Sequence, residues 1–411
     1  MRHTPRHYSF WAPGLLAVLA LLASCTLLPA ALAPAQPAPA VSAPSAVATP
    51  TGAAGSGNFA TITEIWNILQ QDFVDRKALD AGKLSRGAIK GMLEALNDPY
   101  TAYVDPNSFR VEQESLRGTF EGIGAVVAIR EGQLIIVAPI ASSPAEKAGL
   151  RPGDAIMAVN GEPTKDMGLQ DAVLKIRGPR GSMVKLTIRH QGDQGPVDVE
   201  IVRAEVRVET VSLQVPEDKL AILRIAQFNQ RTDQEVMAAL REARRQGAKG
   251  IVLDLRNNPG GLLDVTVAVA SQFLKSGLVL YEIDSQGRRK DWGVQSGGLA
   301  TDLPLTVLVN QFSASGSEVL TGALQSNKRA PVVGVKTFGK GSVNIIRPLS
   351  DGGGLYVTHA RWYTPDGQLI EGKGLQPDVE VPLPTGSAES SRDVQLEKAH
   401  DILVQQIAQA R

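Results

Sequence analysis

The feature that most constrains this chain is the alternation of strand-like and helix-like segments in its second half. From about residue 212, short apolar runs rich in β-branched residues alternate with longer amphipathic segments. This alternation predicts βα units and an at least partly parallel sheet, whose loops at the carboxyl ends of the strands usually carry the chemistry. The strand-like segments are 221–225, 250–255, 305–310 and 331–335, and the helix-like segments are 232–246, 263–274 and 317–326.

A β-rich region precedes this alternation. Between about residues 120 and 203, short apolar runs are separated by turns that contain glycine or aspartate, and two short helical stretches interrupt them. The pattern predicts a compact domain of about eighty residues. Its predicted strands are 125–129, 133–137, 155–159, 184–189 and 197–202.

The predicted fold class is therefore an α/β multidomain protein. A β-rich domain and a mixed α/β core with βα units are flanked by helical N- and C-terminal segments, which are predicted from apolar residues at helical spacing. The predicted boundaries are 59–116 for the helical N-terminal region, 117–204 for the β-rich domain, 205–385 for the core and 386–411 for the C-terminal helix.

The first 58 residues predict an export signal and a linker. Arg2 and Arg6 precede an apolar run that extends to residue 33, which is the layout of an export signal. Three outcomes stay open for residues 1–33: cleavage, retention as a membrane anchor, or lipidation of Cys25, which ends a lipobox-like Leu-Ala-Ser-Cys sequence. Each outcome places the remainder outside the cytoplasm, in the cell envelope or periplasm or in the medium. Residues 34–58 are mostly Ala, Pro, Ser, Thr and Gly and predict a disordered linker.

Composition argues against several function classes. Lys+Arg and Asp+Glu both number 42, so the net charge is zero, whereas nucleic-acid binding needs a strong basic bias. The 5 histidines lack the spacing of metal ligands, and a single cysteine cannot build a disulfide framework. We therefore expect no nucleic-acid partner, no metal and no cofactor.

Three loops rich in glycine or serine follow strands of the core, and one of them places Ser315 between a strand and a helix. A hydroxyl in that position lies near the positive end of a helix dipole. A serine nucleophile also needs a base. His359 lies in a β-like run, where a surface role is the better interpretation. Lys340 is flanked by glycines, and burial among apolar groups favours a neutral lysine. From these residues alone, a surface lysine in a turn is an equally good interpretation.

Five motifs, in this order along the chain, resemble those of the carboxyl-terminal processing proteases, also called tail-specific proteases, which are serine peptidases with a PDZ domain. The resemblance covers the chain from about Phe59 to its C-terminus. It implies an exported endopeptidase that recognises protein substrates through their C-terminal ends and cleaves them through an ester on serine. The motifs are FEGIGAVV, SPAEKAGLRPGDAIMAVNGEPT, GIVLDLRNNPGGLL, VLVNQFSASGSEVLTGALQSNKRAPVVGVKTFGKGSVN and ARWYTPDGQLIEGKGLQPDV.

The resemblance also implies roles for individual residues. The family's nucleophile falls on Ser315 and its lysine base on Lys340, which form a Ser-Lys pair. Backbone N–H groups of Gly316 and Gly261 would form the oxyanion hole, with Gly260 as the alternative to Gly261.

One position departs from the family pattern. The family usually has a glutamine four residues after the lysine, where it orients the base, and this chain has Asn344. Because asparagine is one methylene shorter, direct contact with Lys340 requires compensation by the backbone or by a water molecule, and otherwise activity falls. Our hypothesis is that Asn344 substitutes for the glutamine.

The β-rich domain resembles a PDZ domain. Its Gly122-Ile123-Gly124 loop resembles the loop whose backbone N–H groups hold a terminal carboxylate while the bound peptide adds as a strand. Arg177 matches a family position that is implicated in coupling this domain to the active site. The expected partners are proteins or peptides with a free C-terminus, and a regulatory protein, the membrane and a second copy of the chain are further candidates.

Two other interpretations stay open. A catalytically weak or inactive PDZ-bearing scaffold of the cell envelope is consistent with Asn344. A hydrolase of small acyl substrates fits the Ser-Lys pair but leaves the PDZ-like domain without a role. The presence of both Ser315 and Lys340 favours the protease.

Overall fold

The computed structural model of the chain describes residues 56–130, 132–193, 195–382 and 392–409. The described residues divide into two compact units, one of residues 56–103 and the other beginning at Val104. The predicted export segment with Cys25, and residues 34–55 of the predicted linker, lie outside the described residues. No helix within the described ranges is both long and apolar enough to cross a membrane.

The smaller unit is helical, as the apolar spacing predicts. It contains α1 (Ser56–Asp72), a short 3-10 helix (Arg76–Ala78) and α2 (Ala81–Glu94), and the strand β1 (Ala102–Val104) follows. Asp80 begins α2 because its carboxylate accepts the Lys83 N–H at 2.9 Å, which satisfies one of the free donors at the helix start.

The helix α3 (Pro106–Arg117) leads into the β-rich domain. Its start is fixed by Asp105, whose carboxylate accepts the N–H groups of Asn107 and Ser108. Its end is fixed by Gly118, whose φ of +76° is the left-handed conformation in which helices commonly terminate. The chain turns there into the first strand of the β-rich domain.

The β-rich domain is an antiparallel sheet with two short helices and a separate ribbon. Its elements are β2 (Thr119–Gly122), β3 (Ala125–Arg130), β4 (Gln133–Pro139), α4 (Pro144–Lys147), β5 (Ala155–Val159), β6 (Glu162–Pro163), α5 (Leu169–Ile176), β7 (Met183–Arg189), β8 (Val197–Val202) and β9 (Ala204–Arg207). The sheet order is β3-β4-β5-β7-β8, β6 pairs with β5, and β2 pairs with β9. In β7, every second residue (Val184, Leu186 and Ile188) is fully buried, which is the two-residue period of a strand with one face in the core.

The core domain is built on a mostly parallel sheet. Its elements are β10 (Val211–Gln214), β11 (Leu220–Ile225), α6 (Thr232–Arg245), β12 (Gly250–Asp254), α7 (Leu263–Ser271), β13 (Leu278–Asp284), β14 (Arg289–Gly293), β15 (Leu305–Val309), α8 (Gly316–Ser326), β16 (Val332–Gly334), β17 (Ser342–Pro348), β18 (Gly354–Tyr363), β19 (Val379–Glu380) and α9 (Val394–Gln409). Strands β11, β12, β15, β16 and β19 lie parallel in that order, with β10 antiparallel at the edge. The predicted βα units are confirmed.

The parallel sheet is covered on both faces. Ile251 and Leu253 of β12 pack into the main core with residues of α6, α7 and α8, whereas Val252 packs with Ala399 and Leu403 of α9. Successive side chains of a strand point to opposite faces, so both faces of this sheet exclude water. The C-terminal helix is therefore a layer of the core domain.

The sequence pattern did not predict the second sheet of the core domain. Strands β17, β18, β13 and β14 are antiparallel and lie in that order. A register shift between Val343 and Asn344 interrupts the pairing of β17 with β18. Lys340 lies two residues before β17, so this sheet positions the lysine loop.

Candidate active site

Ser315 lies in the loop that joins β15 to α8. Its φ of +55° and ψ of −116° fall in a region of backbone conformation that residues other than glycine rarely adopt. Its Oγ is buried and has no hydrogen-bond partner among the described residues. Backbone strain and an unpaired buried hydroxyl are each uncommon, and both features are concentrated at functional sites.

Glu318, in the first turn of α8, links the serine loop to the lysine loop. Its side chain is fully buried, and its Oε2 accepts the backbone N–H groups of Ser315 and Lys340, each at 2.9 Å. Its Oε1 accepts Thr337 Oγ1 at 2.6 Å and the Gly339 N–H at 2.7 Å. Burial raises the pKa of Glu318, and the four donors oppose that rise by stabilising the carboxylate. Because both donate to the same oxygen, the backbone nitrogens of Ser315 and Lys340 are no farther apart than the two hydrogen-bond lengths added together.

The backbone encloses Lys340, which is 5% exposed. A Cβ added at Gly339 would lie 3.0 Å from the Gly374 nitrogen, and one added at Gly341 would lie 2.3 Å from the Glu371 nitrogen. The two flanking glycines thus let neighbouring backbone approach the lysine closely. The buried position excludes the interpretation of Lys340 as a surface lysine in a turn.

Two backbone N–H groups lie close together beside Ser315. Neither the Gly261 N–H nor the Gly316 N–H has an acceptor within the described part of the chain, and a Cβ added at Gly316 would lie 3.5 Å from the Gly261 nitrogen. The Gly260 N–H, in contrast, donates to Asn258 Oδ1 at 2.8 Å. Unpaired donors beside a nucleophile suit a developing oxyanion. The engaged Gly260 makes Gly261 the better candidate donor.

Asn344 is fully buried in β17, at the register shift with β18. Its Oδ1 accepts Ser342 Oγ at 3.2 Å, and its Nδ2 donates to Thr358 Oγ1 at 3.4 Å. These contacts fix the amide to the antiparallel sheet that carries the lysine loop.

Comparison with known proteins identifies the family of this site. The model of peptidase family S41 matches residues 219–381, a PDZ-domain model matches residues 135–190, and a model of the N-terminal domain of activating protease CtpB matches residues 37–108. The carboxy-terminal processing protease CtpA of Bacillus subtilis is 35% identical over 81% of this chain and 71% of its own length. The carboxyl-terminal-processing protease of Synechocystis sp. is 38% identical over 84% of this chain and 82% of its own length. The chain belongs to the S41 carboxyl-terminal processing proteases. A solved structure, that of a photosystem II D1 C-terminal processing protease, is 31% identical with a TM-score of 0.47, over 80% of this chain and 94% of that one.

Membership of the S41 family confirms the predicted enzyme class, a serine-type peptidase with a PDZ domain. The family is also consistent with the mixed α/β core and the β-rich domain of this structure. The interpretation of the chain as a hydrolase of small acyl substrates is therefore wrong. The individual site residues stay predictions that the geometry above supports.

The PDZ domain of this S41 protease presents free donors at the predicted carboxylate loop. Ile123 and Gly124 are buried, and their N–H groups have no acceptor among the described residues. Their carbonyl groups are engaged, because they accept the N–H groups of Ala145 and Ile140. Buried unpaired N–H groups are rare in proteins. Two in succession are suited to a carboxylate ligand.

Arg177 lies at the end of α5, against α3. Its guanidinium carbon lies 4.5 Å from the centre of the Phe120 ring, and its Nη1 lies 3.9 Å from Glu114 Oε2. Burial lowers the pKa of Arg177, and the charge of Glu114 opposes that effect. The predicted coupling residue therefore contacts the helix that precedes the PDZ domain.

The sequence reasoning missed Glu318 as a functional residue. Its available signal was an acidic residue three positions after Ser315, at the start of a predicted helix. That pattern is typical of an ordinary capping box, so it did not indicate a link to the distant lysine loop.

Proposed function

We propose that this S41 protease is an exported serine endopeptidase in which Lys340 activates Ser315 and the PDZ domain selects substrates by their C-terminal carboxylate. The observation that carries the Ser-Lys assignment is the single Glu318 oxygen that accepts the backbone N–H groups of both residues. Export is supported by the signal-like pattern of residues 1–33. Fractionation that left the full chain in the cytoplasm would contradict export.

The proposed reaction is acyl transfer to serine followed by hydrolysis. Neutral Lys340 takes the proton of Ser315 Oγ as the oxygen attacks the substrate carbonyl carbon, and the N–H groups of Gly261 and Gly316 stabilise the oxyanion. The protonated lysine then gives its proton to the leaving amine as the C–N bond breaks. Water, deprotonated by Lys340, hydrolyses the ester and restores Ser315. Asn344 is the proposed orienting group for the lysine.

The burial of Ser315 supports the proposal that the site is held here in a resting arrangement, which is closed to substrate. The residue has no exposed surface, and a Cβ added at Gly260 would lie 2.7 Å from Ser315 Cβ. The turn around Gly260 therefore lies directly against the nucleophile. A substrate carbonyl reaches Ser315 only after one of these loops moves, and binding of a chain end to the PDZ domain is the proposed trigger.

Cleavage of an unfolded protein tests the catalytic assignment. We expect Ser315→Ala and Lys340→Ala to abolish cleavage of casein, and Asn344→Ala to slow it. Lys336→Ala is the matched control, because Lys336 is exposed on the same loop, four residues before Lys340. Equal cleavage by the parent, Ser315→Ala and Lys340→Ala proteins would overturn the assignment, and unchanged cleavage by Asn344→Ala would remove Asn344 from it.

A further inference from the structure

The guanidinium of Arg256 is held by carboxylates from two separate parts of the chain. Its Nε and Nη2 donate to the two oxygens of Asp254, at 3.0 and 2.9 Å. Its Nη1 and Nη2 donate to the two oxygens of Asp393, each at 2.8 Å. The Arg256 side chain is 14% exposed. Burial opposes the charge of Arg256, but the two carboxylates outweigh it and raise the pKa of Arg256 above its usual value. Two-pronged contacts of this kind fix the position of an arginine as well as its charge.

Asp393 belongs to the C-terminal layer of the core domain. It precedes α9, and its Oδ1 also accepts the Leu396 N–H at 3.0 Å, so the same carboxylate begins the helix and binds Arg256. Gln395, the second residue of α9, is fully buried, and its side-chain amide donates to the Val381 carbonyl at 2.8 Å. The position of Asp393 is therefore set by the packing of α9 on the parallel sheet.

Arg256 directly precedes the oxyanion turn, residues 257–261, which carries the candidate oxyanion donor Gly261. The Asn257 N–H donates to Asn310 Oδ1 at 2.9 Å, and Asn310 Nδ2 donates back to Asn257 Oδ1 at 2.9 Å. The Asn258 carbonyl accepts the Ala314 N–H at 3.0 Å. Ser317 Oγ donates to the same carbonyl at 2.9 Å. A rigid succession of contacts thus runs from Arg256 to the loop of the nucleophile.

We propose that Asp393 is a positioning residue for catalysis, which holds the oxyanion turn in register with Ser315 through Arg256. The role rests on the oxyanion function proposed for Gly261. Geometry at such donors matters at the level of a few tenths of an ångström, because the donors must meet the oxyanion and not the ground-state carbonyl. The C-terminal helix would then contribute to turnover as well as to folding.

Two substitutions separate positioning from helix capping. Asparagine and serine are both good N-cap residues, so Asp393→Asn and Asp393→Ser keep the start of α9. Asparagine loses the charge, and serine is also too short to reach Arg256. Glu397→Gln is the matched control, because Glu397 lies on the same helix and its carboxylate pairs with the exposed Arg392. Asp393→Glu tests rescue, since it keeps the carboxylate.

The experiment measures kcat and KM on an internally quenched peptide, and the rate of Ser315 labelling by a fluorophosphonate, at a temperature where every variant is folded. We expect kcat and the labelling rate to fall together by about tenfold in Asp393→Asn and further in Asp393→Ser, with KM within about twofold. Partial recovery in Asp393→Glu and no change in Glu397→Gln are also expected. Unchanged kcat and labelling in both Asp393→Asn and Asp393→Ser would overturn the role of Asp393 alone. Activity retained by Ser315→Ala would instead overturn the proposed function on which the role of Asp393 rests.

Discussion

At the residue scale, the candidate site depends on one buried carboxylate that need not touch the substrate. Each oxygen of Glu318 accepts two donors, and the four donors come from both loops that carry the proposed chemistry. A carboxylate can accept at this many positions, whereas an amide replaces one oxygen with a donor. The requirement for a glutamate at this position therefore follows from hydrogen bonding, with no appeal to proton transfer.

Glu318→Gln tests this requirement. In either orientation, the amide NH₂ would face two existing donors, so two buried donors lose their acceptor. We expect the free energy of unfolding to fall by about 2 kcal/mol or more, and kcat/KM to fall by on the order of 100-fold because the loops of Ser315 and Lys340 separate. Urea unfolding and peptide cleavage measure the two effects, with the exposed Glu217→Gln as control. Parent-like values for both would contradict the role of Glu318 as a link.

At the element scale, local patterns predicted most strands and helices of the parallel sheet, because α6 has an apolar stripe at helical spacing and β12 and β15 are short, fully buried apolar runs, as expected of a sheet covered on both faces. Only the β-like run around His359 was predicted from the second sheet, because the sheet forms by antiparallel pairing of β17, β18, β13 and β14, and β13 and β14 lie about 60 residues or more before β18 in the chain. The glycine and serine loops marked where chemistry could lie. The meeting of Ser315, Lys340 and Glu318 depends on contacts between segments distant in sequence, and periodicity carries no information on those contacts.

The oxyanion turn lies so close to the segment after β11 that a side chain at Gly261 should be destabilising. Gly261 has φ +146°, and a Cβ added there would lie 2.0 Å from the Phe228 carbonyl oxygen. Gly261→Ala must therefore push two backbone segments apart, and we expect it to lower the free energy of unfolding by about 3 kcal/mol or more and to abolish cleavage. Gly247→Ala is the matched control, since Gly247 has φ +78° but no atom within 4 Å of the added Cβ. The free energy of unfolding of Gly247→Ala, measured with urea, should fall by only about 1 kcal/mol, and this variant should keep its activity. Similar losses in both variants would contradict the steric argument.

At the scale of the larger unit, successive contacts connect the PDZ domain to the oxyanion turn. Arg177 of the PDZ domain faces Glu114 of α3, and the backbone of α3 accepts the Gln230 N–H at 2.9 Å. Two residues earlier, the Phe228 N–H donates to the Gly260 carbonyl at 2.9 Å. A shift of α3 would therefore displace the segment on which the turn rests. This connection gives a physical basis for the coupling that the family resemblance implies for Arg177.

The same connection predicts how a chain end should act on turnover. A short, uncleaved peptide with a free C-terminal carboxylate, added in trans, should accelerate cleavage of a quenched substrate whose own C-terminus is amidated, because its carboxylate is proposed to bind the free N–H groups of Ile123 and Gly124. The same peptide with an amidated C-terminus should accelerate at least about tenfold less, since charge-assisted hydrogen bonds are the stronger ones. Arg177→Ala should weaken the acceleration, and the peptide Kd, measured by calorimetry, should rise by no more than a similar factor, because coupling between two sites is reciprocal. Equal acceleration by acid and amide peptides would show that the carboxylate is not the signal. Full acceleration in Arg177→Ala would show that the signal does not pass through α3.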